Sequence, residues 1–108
     1  MLFKWFATAE VNALATSMAN DLVKRVPPAS LDARGKKAEA KQSKAHDLVL
    51  RQAHDFARRN KLNIYTKARL ANGFKWALLE AGYPKAFVDK MTYELATVVA
   101  AAESERKT

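Results

Sequence analysis

The residues best suited to acid–base or metal chemistry in this sequence are its only two histidines, His46 and His54. On a helix, their eight-residue spacing separates them by about 12 Å along the axis and about 80° around it, so they cannot readily hold one metal ion. The His-Glu-x-x-His and Glu-x-x-His patterns of helical metal sites do not occur. We therefore expect two histidines at the edge of the core, beside a charged face, with no catalytic or metal-binding role.

Other catalytic patterns give little support for an enzyme. The sequence has no Cys, which removes thiolate nucleophiles and Cys-based zinc sites and fits a reducing, cytoplasmic location. Its serines lie in no nucleophile-elbow setting, and its three glycines are too scattered for a phosphate loop. Glu80 and Glu94 fall on different predicted helices, and nothing in their spacing demands a carboxylate pair. The expectation is a non-catalytic protein with no metal and no cofactor.

Net charge is the most informative property of the composition. The 108 residues include 19 Lys and Arg against 11 Asp and Glu, a formal charge of +8. Residues 32–75 hold twelve of the basic and four of the acidic residues, so this middle segment accounts for the whole excess. A concentrated positive field suits nucleic acid, an anionic membrane surface or an acidic protein surface. The alternative is a solvated face that only keeps the protein soluble.

A helix predicted from about residue 37 to residue 59 carries most of this charge. Its apolar residues cluster on one side, at Ala38, Ala45, Val49, Ala53 and Phe56. The other side carries the candidate contacts to an acidic partner or to phosphate, which are Lys37, Lys41, Lys44, Arg51, Arg58 and Arg59. Such a row of cations can contact the phosphates of a nucleic-acid backbone, but these contacts do not distinguish one base sequence from another. Asp47 and Asp55 each precede an Arg by four residues, so we expect them to dilute the field and partly occupy those arginines.

A second group of candidate contacts lies on the next predicted helix. Tyr65, Arg69 and Trp76 follow one another at helical spacing, with Asn72 between them, away from the apolar side. Aromatic and guanidinium planes so spaced can stack on bases or contact a partner helix. The alternative, which we favour for Trp76, is that this helix is packed on both sides and the indole belongs to the core.

The third candidate is the aromatic start of the chain, which contains Phe3, Trp5 and Phe6. If the first helix were extended back to residue 1, Leu2 and Phe6 would point toward its polar side. We therefore predict that residues 1–7 form a separate aromatic segment. It would pack over one end of the bundle, contact a partner or, less favoured, enter a membrane interface.

Four amphipathic helices account for the rest of the sequence, at about 8–25, 37–59, 64–81 and 84–102. Pro27 and Pro28 end the first helix and begin a linker over residues 27–36. Asn63 is a suitable N-cap for the third helix, and Gly82 a suitable left-handed C-cap. We expect the polar residues 103–108 to be frayed. The pattern predicts one all-α domain, a small antiparallel four-helix bundle, with core completion by a homodimer as the alternative.

Together these features favour a non-catalytic helical adaptor or assembly subunit that docks onto an acidic macromolecule through the basic helix. The aromatic candidates favour a protein partner, because binding to a nucleic-acid phosphate backbone alone does not require aromatic anchors. The first alternative is a small basic nucleic-acid-binding protein. The second is an accessory protein that associates with a membrane surface through its aromatic start.

Overall fold

The computed structural model describes the backbone of residues 2–107 and the side chains of residues 8–106. Four helices make up nearly all of it: α1 (Leu2–Arg25), α2 (Lys36–Arg59), α3 (Ile64–Ala81) and α4 (Lys85–Lys107). A short 3₁₀ turn, Pro28–Ser30, interrupts the linker between α1 and α2. No strand occurs in the described backbone, so the predicted all-α helical bundle is confirmed.

The start of α1 differs from the prediction. The backbone is helical from Leu2, so residues 2–7 extend the first helix instead of preceding it. At its other end, the Val26 N–H still donates to the Leu22 carbonyl, and Pro27 and Pro28 then end the helix because they have no N–H to donate.

Local backbone chemistry explains where α2 and α3 begin and end. Gly35, at φ +106°, turns the chain into α2 and lies just before it. Asn63 and Thr66 form a reciprocal capping box at the start of α3. Gly82, at φ +103°, ends α3: its N–H and that of Tyr83 donate to the last turn in a Schellman motif. The predicted roles of Asn63 and Gly82 are confirmed.

The predicted end of α4 was wrong, because the helix continues through residues 103–106 to Lys107. Contacts to other helices explain the difference. Ala102 is fully buried, Glu103 accepts from the Lys67 ammonium at 3.0 Å, and Glu105 bonds to His54 at 3.1 Å. Tertiary contacts therefore hold a polar segment that would fray on an isolated helix.

The helices surround the core in the order α1, α2, α4, α3, since each of these packs on the next and α3 packs on α1. Successive helices run in opposite directions, but the two largest interfaces join parallel helices. Ala15 meets Gly73 and Val26 meets Tyr83, so α1 and α3 run the same way. His46 meets Glu94 and His54 meets Glu105, so α2 and α4 do too. As a result, α2 and α3 lie diagonally across the bundle.

Each helix contributes an apolar stripe to one continuous core. Its largest fully buried side chains are Val11, Met18, Val49, Leu70, Phe74, Leu78, Val88 and Leu95. The predicted apolar side of α2 matches this core at Ala45, Val49 and Ala53, while Phe56 is only partly buried. On α3, the apolar residue Ile64 is 83% exposed, because it precedes the first turn that packs.

Candidate functional site

The predicted basic helix exists as one uninterrupted helix, α2. Its six candidate side chains are all exposed, and we call them the α2 basic face: Lys37, Lys41, Lys44, Arg51, Arg58 and Arg59. From Lys37 to Arg59 the helix rises about 33 Å. The cations point outward together because the residues on the other side of α2, among them Ala45, Val49 and Ala53, are buried.

The acidic residues of α2 do not neutralise its arginines as expected. Asp47 lies 3.1 Å from Nδ1 of His46, and Asp55 lies 3.8 Å from Nδ1 of His54. Among the described side chains, neither carboxylate forms an ion pair with the Arg four residues later. The histidines compete for these carboxylates, so Arg51 and Arg59 remain available. Arg58 is the member of the face that is paired, at 3.6 Å from Glu105 of α4.

Both histidines lie between α2 and α4, at the predicted boundary of the core. Nε2 of His46 is 2.7 Å from Oε2 of Glu94, and its Nδ1 faces Asp47. An imidazole donates from both nitrogens only when it is protonated. Burial opposes that charge, but the hydrogen bonds and charges of Asp47 and Glu94 outweigh it, so the pKa of His46 is raised above its usual 6.5. The folded environment therefore favours the imidazolium form more than water does, and that charge is faced by the carboxylates of Asp47 and Glu94.

Sequence reasoning missed both histidine–glutamate pairs. The histidines are eight residues apart and their partners, Glu94 and Glu105, are eleven apart, so no common spacing links them. The pairing follows from the parallel packing of α2 on α4. Glu94 is thus engaged with α2, while Glu80 lies exposed on α3.

A half-open cavity of about 390 Å³ lies where the end of α1 meets the beginnings of α2 and α4. Leu22, Val26, Phe87 and Met91 give it apolar walls, and the His46–Glu94 pair lies at its polar side. Within the described residues, no cluster of three or more His, Asp or Glu side chains is arranged to hold a metal ion.

The second predicted group lies on the surface of α3. Trp76 is 61% exposed and Tyr65 is 57% exposed, and Arg69 is exposed between them. The favoured core position of Trp76 was therefore wrong. α3 packs through Thr66, Leu70, Phe74 and Leu78, a four-residue spacing that leaves Trp76 on the far side of the helix. Since α2 and α3 are diagonal in the bundle, this group and the α2 basic face lie on opposite sides of the molecule.

The third predicted group, Phe3, Trp5 and Phe6, lies outside the described side chains. Over the described part of the chain, no helix is both long enough and apolar enough to cross a bilayer.

We found no protein-family model, curated protein or solved structure that matches this chain.

Proposed function

We propose that this chain is a non-catalytic protein that binds nucleic acid by its phosphate backbone, through the α2 basic face. One observation carries the proposal: six exposed cations share one side of a continuous helix over about 33 Å. That length matches about ten base pairs of a duplex, at 3.4 Å per step along each strand.

The composition of the α2 basic face favours a phosphate backbone over an acidic protein. The large apolar side chains exposed in the described residues are Ile64, Tyr65, Trp76 and Tyr93, all of them on α3 or α4. Protein interfaces usually combine arginines with buried aromatic anchors, and the two together supply most of the binding energy. The α2 basic face offers charge without an aromatic anchor, which is the composition that suits electrostatic contact with phosphates.

The test is fluorescence anisotropy with a labelled DNA duplex of about 20 base pairs, titrated from about 50 to 200 mM salt. Neutralisation of about five phosphates predicts a log–log slope of about −4 to −5. The double variant Lys41→Glu with Arg51→Glu is expected to abolish binding. No binding by the wild-type protein at low salt would contradict the proposal.

A matched control separates the α2 basic face from net charge. Lys24 on α1 and Lys90 on α4 are exposed and lie outside this face. The double variant Lys24→Glu with Lys90→Glu changes the net charge by the same amount and is expected to keep most of the affinity. Equal losses in the two double variants would show that only the overall charge matters.

An adaptor is the second candidate, favoured by the exposed aromatic residues of α3 on the side opposite the α2 basic face. In this version α2 holds the acidic macromolecule and a different surface holds a protein partner, which fits a cytoplasmic protein without cysteines. Deletion of residues 1–6 tests the role assigned to the aromatic start. The expected result is a loss of helical signal no larger than the deleted residues of α1 account for, together with loss of a co-purifying partner. A truncated chain that still retains the partner would contradict that role.

A further inference from the structure

The outer side of α3 has the composition of an interface, and it is independent of the α2 basic face. We call it the α3 outer face and define it by its exposed residues Tyr65, Ala68, Arg69, Asn72, Trp76 and Glu80. Two of the four large apolar side chains that are exposed in the described residues, Tyr65 and Trp76, belong to this face. Such a concentration of exposed apolar surface on one element marks an interaction site more often than scattered residues do.

From its arrangement we propose that the α3 outer face binds a second copy of this chain, with the two α3 helices packed antiparallel around a two-fold axis. In a two-fold interface, if residue i contacts residue j of the other copy, then j also contacts i. Arg69 and Trp76 lie equally far on either side of the Asn72–Gly73 peptide bond, and so do Tyr65 and Glu80. A two-fold axis at this bond places Arg69 opposite Trp76 of the second copy and Tyr65 opposite Glu80 of the second copy. By symmetry, each of these contacts occurs twice.

The chemistry of both pairs is favourable. Arg69 faces Trp76 of the second copy, where a guanidinium can stack on the indole. Tyr65 faces Glu80 of the second copy, where the phenol can donate to the carboxylate. Arg69 also lies one helical turn from Glu80 of the second copy, within reach of an ion pair. The two Asn72 residues lie close to the axis, about 1.5 Å apart in level, where two amides can exchange hydrogen bonds.

The surroundings of the α3 outer face leave it open to another helix. Several exposed residues of the neighbouring helices α1 and α4 are small, among them Asn12, Thr16 and Ala96. The face carries one cation and one anion, so it has no net charge to attract a polyanion. This balance favours a second copy over nucleic acid as its occupant.

Light scattering after size exclusion tests the proposal on the full chain. The expected mass is twice the chain mass of 12.1 kDa, falling toward the monomer on dilution. Trp76→Ala should give a monomer with an unchanged helical circular dichroism spectrum. A wild-type monomer at all concentrations, or a Trp76→Ala dimer of wild-type affinity, would overturn the proposal.

A charge exchange tests the antiparallel geometry itself. Arg69→Glu gives a face with two acidic residues, and Glu80→Arg gives a face with two basic residues, so each variant alone should be monomeric. Mixed in equal amounts, the two variants should form a dimer, because every acidic residue then meets a basic one. Arg34→Glu in the linker is the control and should dimerise like the wild type. Failure of the mixture to form a dimer would refute the antiparallel arrangement.

The variant Trp5→Phe leaves Trp76 as the single tryptophan. Its fluorescence then tests whether nucleic acid, and not a second copy of the chain, occupies the α3 outer face. If the protein stays monomeric while a single-stranded oligonucleotide quenches Trp76 fluorescence, the α3 outer face binds bases and the dimer proposal fails. Expected instead is a Trp76 spectrum that shifts with protein concentration and does not respond to the oligonucleotide.

Discussion

Contacts between single polar side chains join α2 to α4 at the edge of the core. His46 is bonded to Glu94 across the interface and to Asp47 on its own helix, and both contacts favour the charged imidazole. The same contacts take Asp47 away from Arg51. Asp47 therefore contacts the histidine that joins the two helices, and no ion pair joins it to Arg51.

The first prediction concerns pH and the His46–Glu94 pair. Because the pKa of folded His46 is raised above 6.5, the pair's stabilisation is fully present below pH 6.5 and is lost as pH rises through the raised folded value. Urea unfolding of the wild type at pH 5.5 and 8.5 should show this loss, of up to about 1 kcal/mol for a partly exposed pair. Glu94→Gln should reduce the difference, and Asp47, which also raises the pKa of His46, should preserve part of it. An equal pH dependence in both proteins would rule out this assignment.

A second prediction follows from Gly73, where α1 and α3 approach each other closely. A Cβ built on Gly73 would lie 3.1 Å from the Cβ of Ala15, which is fixed to the backbone of a neighbouring helix and has no side-chain freedom to move away. Gly73→Leu should therefore force the helices apart and lower the free energy of unfolding by about 1–3 kcal/mol. Ala100→Leu, at an exposed position of α4, is the control and should change it by less than about 0.5 kcal/mol. Similar urea midpoints for the two variants would contradict the close packing.

At the scale of the elements, the length of α4 depends on contacts beyond the helix itself. Its last turns present Glu103 to Lys67 of α3 and Glu105 to His54 and Arg58 of α2. One helix end therefore joins two other helices, at the end of the bundle where α2 passes into α3.

Truncation of α4 is the prediction at this scale. A chain ending at Ala102 loses these contacts and the last helical turns. Its free energy of unfolding should be lower by about 1–2 kcal/mol, since each exposed ion pair contributes about 0.2–1 kcal/mol. Removal of Lys107 and Thr108 alone is the control and should change little. Thermal unfolding followed by circular dichroism measures both. An unchanged midpoint for the longer truncation would mean that residues 103–106 contribute nothing to the bundle.

The helices also show which structural features can be predicted from the sequence. The bounds of α3 could be predicted because Asn63 and Gly82 cap the helix through hydrogen bonds and backbone conformation close to them in the sequence. The α2 basic face could be predicted because all its residues lie on one helix. The end of α4 and the histidine pairs depend on which helices become neighbours, and no local signal contains that information. Trp76 was misplaced because a general preference for burial was weighed above the four-residue spacing of the side chains that pack α3.

At the scale of the whole molecule, the diagonal placement of α2 and α3 separates two surfaces of different character. One is charged and has no exposed aromatic residue, and the other is aromatic and carries no net charge. If both proposals hold, a two-fold dimer built on α3 carries its two α2 basic faces on the outside, pointing away from each other. Such a dimer has room for two nucleic-acid segments at once.

The last prediction uses this separation. Because Trp76 lies across the bundle from α2, Trp76→Ala should bind a short duplex with wild-type affinity per chain. It should also lose the ability to hold two duplexes in one complex, which native mass spectrometry detects. Lys41→Glu with Arg51→Glu should do the opposite, keeping the dimer mass while losing the duplex. If Trp76→Ala weakened single-duplex binding as strongly as the α2 variant does, the two surfaces would act as one, and the diagonal arrangement of α2 and α3 would not separate their functions.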